Sequence, residues 1–228
     1  MDQMNQILFT VAQSLPGFLL AIVAHEWGHA YMAYRFGDPT ADINGRMTLN
    51  PAAHYDLWGT VLFPLLSVVT GFALIGWAKP VPVNTRNFKQ LRAGIFWVSF
   101  AGPLVNIILG TLSAFLLAIV AVKVPPSFSY FSIMLGMLKY SVFINFILAF
   151  FNLIPLPPLD GSKMVSTFLR GEALFKYEAL AAWTPMIFMA SLALSFVGIS
   201  TFGYLLQPAQ WIGQWMIYAF YQLLGGMP

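Results

Sequence analysis

The chain has 228 residues, of which 59% are hydrophobic and 8% charged, with a mean hydropathy of +0.74. A soluble domain carries about 25% charged residues, so this composition cannot solvate a globular surface and reads as one integral membrane domain. Cysteine is absent, which excludes disulfides and thiolate metal sites. The net charge of +3 resides in loop residues, which read as topology signals and headgroup contacts and not as a nucleic-acid surface.

The first apolar segment runs from about Gln6 to Phe36, with a kink expected at Pro16-Gly17. The residues before it lack the positive n-region of a cleavable signal peptide, so it is expected to be retained. Near its end stands His25-Glu26-Trp27-Gly28-His29, a match to H-E-x-x-H. Histidines four apart lie on one face of a helix. Both imidazoles then reach one metal ion, at about 2.0–2.1 Å for zinc. Glu26, beside the first ligand, is placed as general base for a water at the metal. Such residues in a lipid-length helix are costly and usually have a functional partner. The plainer alternative is a polar patch against other helices.

Thr40 to Tyr55 is polar and rich in turn formers, and Gly45 to Asn50 is expected to form a short strand. The second apolar segment spans roughly Leu57 to Trp77, interrupted at Pro64 and Gly71. It ends at Ala78-Lys79-Pro80-Val81-Pro82-Val83-Asn84, where the proline alternation suits an edge strand or extended loop. The third segment, about Ala93 to Val122, carries Gly102-Pro103-Leu104-Val105-Asn106. The fourth starts near Ser132 or Ser141 and runs through Asn145 to Asn152. The prolines at 155, 157 and 158 should unwind it just before Asp160. Segments five and six cover about Ala179–Ile199 and Phe202–Leu224, with Trp183, Tyr204, Trp211, Trp215 and Tyr218 suited to interface belts. The expected fold is all-α, with five to six transmembrane helices, a re-entrant segment and a short membrane-associated β element. The catalytic core is expected over about 6–165, and C-terminal helices over about 179–224.

Asp160 is the candidate third ligand, against the alternative of a helix-capping carboxylate. His25 and Asp160 each lie about 20 residues into their own segments, roughly 30 Å at 1.5 Å per residue. They meet only if segments one and four run in the same direction, so segment two should dip in and return. Re-entry puts Arg35, Arg46, Lys79, Arg86, Lys89, Arg92, Lys163, Arg170 and Lys176 on one side, against Lys123 and Lys139. A crossing would split the same charges seven to four. The positive-inside rule prefers re-entry, five crossings, an outside N-terminus and a cytoplasmic C-terminus.

Three protein ligands leave zinc an open position for water. Asn152 is a candidate oxyanion donor, weighed evenly against interhelical hydrogen bonding. Asn145 reads as structural. Gly102 and Asn106 read as a close helix-packing site near the centre. His54, with Asp56, is a candidate at the site mouth, to gate the cleft or compete for metal, although a lone loop histidine is usually no ligand.

In combination these residues resemble the site-2 protease family of intramembrane zinc metalloproteases (M50-type). The marks are His25-Glu26-Trp27-Gly28-His29, Gly102-Pro103-Leu104-Val105-Asn106, and Asn152-Leu153-Ile154-Pro155 leading into Leu159-Asp160-Gly161. Gly76 to Asn84 looks like a segment of small bacterial members. The resemblance covers roughly Ala21 to Gly161. It implies one zinc ion held by His25, His29 and Asp160, with Glu26 catalytic and Asn152 assisting substrate or oxyanion binding. It implies cleavage of transmembrane helices of membrane-protein substrates, within a bacterial cytoplasmic membrane. Lys79, Pro80, Val81, Pro82, Val83 and Asn84 would pair with an unwound substrate. The family often carries a PDZ or CBS domain, for which this chain has no space.

Two other classes compete. A metal transporter or channel would use the same cluster as a transit site, but such proteins show repeated halves, and none is visible. An inactive membrane scaffold has no need of the base at Glu26.

Overall fold

A backbone in hydrocarbon has no water to bond and must satisfy its own polar groups. The computed structural model describes residues 3–70 and 76–226, and among these it does so with helices and without any strand. In chain order they are α1 (Gln3–Arg35), α2 (Thr40–Ile43), α3 (Phe63–Thr70), α4 (Leu91–Lys123), α5 (Phe131–Asn152), α6 (Asp160–Ser166), α7 (Gly171–Glu178), α8 (Thr184–Phe196) and α9 (Thr201–Leu223).

Three of them, α1, α4 and α5, are long and apolar enough to cross a membrane, and the bent pair Gly171–Ala182 with Thr184–Ser195 makes a fourth if it counts as one span. This is a multi-pass membrane protein, but among the described residues the expectation of five to six crossings falls to three or four. The physical reason lies in the C-terminal third. The fifth segment opens with a 3-10 turn, Ala179–Ala182, and then bends into α8, which has only 13 residues. α9 carries Gln207, Gln210, Gln214 and Gln222, which dilute its apolarity.

α1, α4 and α5 form the centre. His25 meets Asn106 while His29 meets Val98, so α4 runs antiparallel to α1. Ser141 meets Ser113 while Asn145 meets Asn106, so α5 runs antiparallel to α4 and parallel to α1. α9 closes the far side through Ala209, which packs with Ala114, Val142 and Phe146.

A 3-10 turn, Pro51–His54, precedes the second segment, which opens with a π-helical turn, Leu57–Leu62, that leads into α3. Its two ends are bonded to each other. Trp77 N donates to the Gly59 carbonyl at 3.0 Å, and Lys79 N to the His54 carbonyl at 2.9 Å. Thr60 Oγ1 donates to the Trp77 carbonyl at 3.1 Å. The segment therefore returns to where it began. Gly71, the expected second interruption, lies outside the described residues.

The expected β element does not form. Pro80 and Pro82 have no N–H to give to a ladder, and residues 78–84 bond to side chains and isolated carbonyls instead. Gly45 to Asn50 turns back on itself: Gly45 has φ +63°, and Arg46 N reaches the Ala41 carbonyl. At the end of α5 the prolines act as expected. The helix stops at Asn152, and Asp160 begins α6.

Candidate metal centre and active site

One helical turn separates His25 from His29, and the antiparallel packing of α4 fixes both rings from behind. Asn106 is buried in α4. Its amide donates both hydrogens, to the Ala21 carbonyl at 3.0 Å and to Asn145 Oδ1 at 2.9 Å. Asn106 Oδ1 is thus an acceptor, and His25 Nδ1, 2.7 Å away, is the N–H that donates to it. Asn145 in turn donates to the Ser141 carbonyl at 2.8 Å. His29 Nδ1 lies 2.7 Å from the Val98 carbonyl, which can only accept. Each neutral imidazole therefore carries its proton on Nδ1 and presents a bare Nε2 lone pair.

Those lone pairs face each other and a carboxylate. The two Nε2 atoms are 3.1 Å apart. Asp160 Oδ2 lies 3.2 Å from His25 Nε2 and 3.1 Å from His29 Nε2. All three residues are buried. Three acceptors that converge on one buried point repel one another, and one proton can bridge only two of them. A divalent cation satisfies all three. The spacing also fits, since two ligands about 2.0–2.1 Å from a tetrahedral zinc are roughly 3.3 Å apart.

Asp160 reaches the histidines because the chain unwinds after Asn152 and starts α6 at the carboxylate itself. Its second oxygen is occupied: Lys163 Nζ donates to Oδ1 at 3.0 Å. Gly102 is where α4 must lack a side chain. A Cβ there would come within 2.6 Å of His29 Nε2 and 2.7 Å of His25 Cε1. The helix-packing reading of Gly102 thus acquires a cause, as does that of Asn106, which orients the His25 ring.

Glu26 is only partly buried. Its Oε2 accepts a hydrogen bond from the backbone N–H of Val81 at 2.8 Å. Residues 78–84 form a strap across the end of α1. At one end Arg46 donates to the Lys79 carbonyl at 2.6 Å. At the other, Asp38 accepts from Asn84 N at 2.7 Å and Asn87 Nδ2 at 2.8 Å. The Val81 side chain is buried against Ala30 and Ala41.

Two candidates stand apart from this cluster. Asn152 donates to the Leu148 carbonyl of its own helix at 3.0 Å, and no hydrogen bond joins it to the histidines or Asp160. His54 is buried, with Nε2 donating to the Thr48 carbonyl at 2.8 Å and its own carbonyl holding the strap at Lys79. It supports the strap from outside the metal cluster. The sequence reading missed the Lys163 contact, which its i, i+3 spacing from Asp160 could have signalled. It also missed the Val98 carbonyl, which has no side-chain signature.

The model of Peptidase family M50 matches residues 119–194, the stretch that holds Asn145, Asn152 and Asp160. "Putative zinc metalloprotease YwhC" of Bacillus subtilis (strain 168) is 40% identical over 168 residues, 71% of this chain and 73% of that protein. "Putative zinc metalloprotease Rip2" of Mycobacterium tuberculosis is 31% identical over 159 residues, 69% of this chain and 58% of that protein. Rip2 of Mycolicibacterium smegmatis is 29% identical over 162 residues. The chain thus spans 58% of the length of the Rip2 proteins. No solved structure matches it.

Proposed function

The chain belongs to peptidase family M50, the site-2 protease family of zinc metalloproteases, and on that premise we propose that it hydrolyses peptide bonds in or near transmembrane helices of membrane-protein substrates. The observation that carries this reading is the convergence of His25, His29 and Asp160 on one point, with Glu26 on the same helix turn and all within a bundle of membrane-length helices. Bound there, zinc supplies an open position and lowers the pKa of a water to about 7.

The chain's own residues do the rest. Asn106 and the Val98 carbonyl hold the rings in register. Lys163 keeps Asp160 turned with one oxygen toward the histidines. Glu26 takes the proton from the attacking water and passes it to the leaving amide nitrogen. A substrate helix must open before its backbone can be attacked, and an opened segment needs partners. Val83 lies exposed on the strap, and its N–H has no partner among the described residues, which supports the strap as the place where an unwound segment pairs. Asn152 serves as an oxyanion donor only if its amide leaves Leu148.

The charge split supports an N-terminus outside, the strap and Lys163–Lys176 on the cytoplasmic side, and a site nearer that face. With three crossings the C-terminus lies on the cytoplasmic side; a fourth, by the bent pair Gly171–Ala182 with Thr184–Ser195, would place it outside. The test is Glu26→Gln. Zinc content should stay at wild type, while cleavage of membrane proteins, followed as fragments in cells, falls by about 10²–10⁴ as expected for a lost general base. A transit site would keep its transport in this variant, and a scaffold would be indifferent.

A further inference from the structure

The strap has few backbone donors to spend. Pro80 and Pro82 have none. Lys79 N–H goes to the His54 carbonyl, and Asn84 N–H to Asp38. Of Val81 and Val83, only Val81 makes a hydrogen bond, and its acceptor is Glu26 Oε2 at 2.8 Å. This donor is itself fixed. The Val81 side chain packs on Ala30 and Ala41, and Arg46 grips the two carbonyls before it, those of Lys79 and Pro80. A proline on each side leaves no neighbouring N–H to compete for the carboxylate.

We propose that the Val81 N–H is a positioning group for the catalytic base: it pins Oε2 and leaves Oε1 free to take the proton of the attacking water. The proposal rests on the reading of Glu26 as general base. A glutamate on a helix has three rotatable bonds, and a charge-assisted bond from a rigid backbone selects one arrangement. The alternation Pro80-Val81-Pro82-Val83 then has two separate uses. Val81 serves the enzyme's own carboxylate, and Val83 remains open to a partner.

Val81→Pro removes this N–H from a stretch already bounded by prolines, and Val81→Ala removes the same packing while keeping the N–H. In full-length, zinc-loaded protein, Val81→Pro should keep its zinc and its KM within about twofold, and lose about 10–100-fold in kcat, the scale of a misplaced catalytic group. Val81→Ala should recover most of that turnover. Wild-type kcat in Val81→Pro would overturn the proposal. So would a raised KM at unchanged kcat, which would give the N–H to the substrate, or a raised kcat, which would make the contact a brake. A second measurement depends neither on activity nor on the folding of that variant. Amide exchange at Val81 should be slow in wild type and in Glu26→Gln, whose side-chain oxygen still accepts, and faster by at least about tenfold in Glu26→Ala. Equal exchange in all three overturns the proposal. Absence of cleavage by wild type, with the exchange pattern intact, would instead sink the proteolytic reading.

Discussion

His25 is oriented by a file of amides that runs from Ser141 through Asn145 and Asn106 to its ring. Removing the middle member frees the ring to rotate. Asn106→Ala should therefore weaken zinc binding by about 10–100-fold, the usual consequence of losing a partner behind a ligand. Chelator competition reads that loss directly. The same change strands Asn145 Oδ1 without its donor, at about 1–3 kcal/mol for a buried unsatisfied group, so a drop in melting temperature should accompany it. The grouping of His25, His29 and Asp160 was legible in the sequence because each is ionisable where lipid makes ionisable groups costly. Asn106 was legible as a polar residue in an apolar helix, but its partner was not. Which faces of α1, α4 and α5 meet depends on helix rotation, and only packing sets that.

At the scale of elements, the strap is the part the sequence described least well. Alternating prolines looked like an edge strand, and the prolines are what prevents it from joining a ladder. What holds it is Asp38, a buried residue just past the end of α1. Burial alone would raise this carboxyl's pKa. Hydrogen bonds from the Thr40 side chain, Asn87, the Asn84 backbone and the Thr40 backbone outweigh burial and hold it below the ordinary carboxylate range. A carboxylate with a lowered folded pKa contributes its stability in full above the unfolded value, about 3.9. It loses that contribution as pH falls through the folded value. The strap should therefore hold at neutral pH and loosen only below about pH 4, seen as faster amide exchange at Asn84. Asp38→Asn should bring the loosening to neutral pH. Its amide would turn a donor toward Asn84 N–H or Asn87 Nδ2, and about 1.5–3 kcal/mol of charge-assisted bonding would go with it. Unchanged exchange at Asn84 in that variant would mean that Arg46 and His54 suffice to anchor the strap.

For the whole molecule, three or four helices among the described residues are long and apolar enough to cross, against the five to six expected, while the central helices run in the expected directions. Hydropathy counts apolar residues, and α9 packs on α4 and α5 but is not among the described helices long and apolar enough to cross a membrane. Direction rests on a stronger constraint. Asp160 and His25 share one site only if α1 and α5 point the same way, and the bonded ends of the second segment, at Gly59 and Trp77, leave α4 as the single crossing between them. Nine of the eleven basic residues then fall on the face that holds the strap and the start of α6. Reporters fused at Val81 and after Lys176 should read cytoplasmic, and reporters at the N-terminus and at Ser127, between α4 and α5, should read extracytoplasmic. An extracytoplasmic signal at Val81 with a cytoplasmic one at Ser127 would invert the molecule but spare its fold. A disagreement in side between Val81 and the reporter after Lys176 would do more damage. It would put Glu26's strap and the polypeptide that follows Asp160 on opposite faces of the bilayer, and the metal cluster could not form as described.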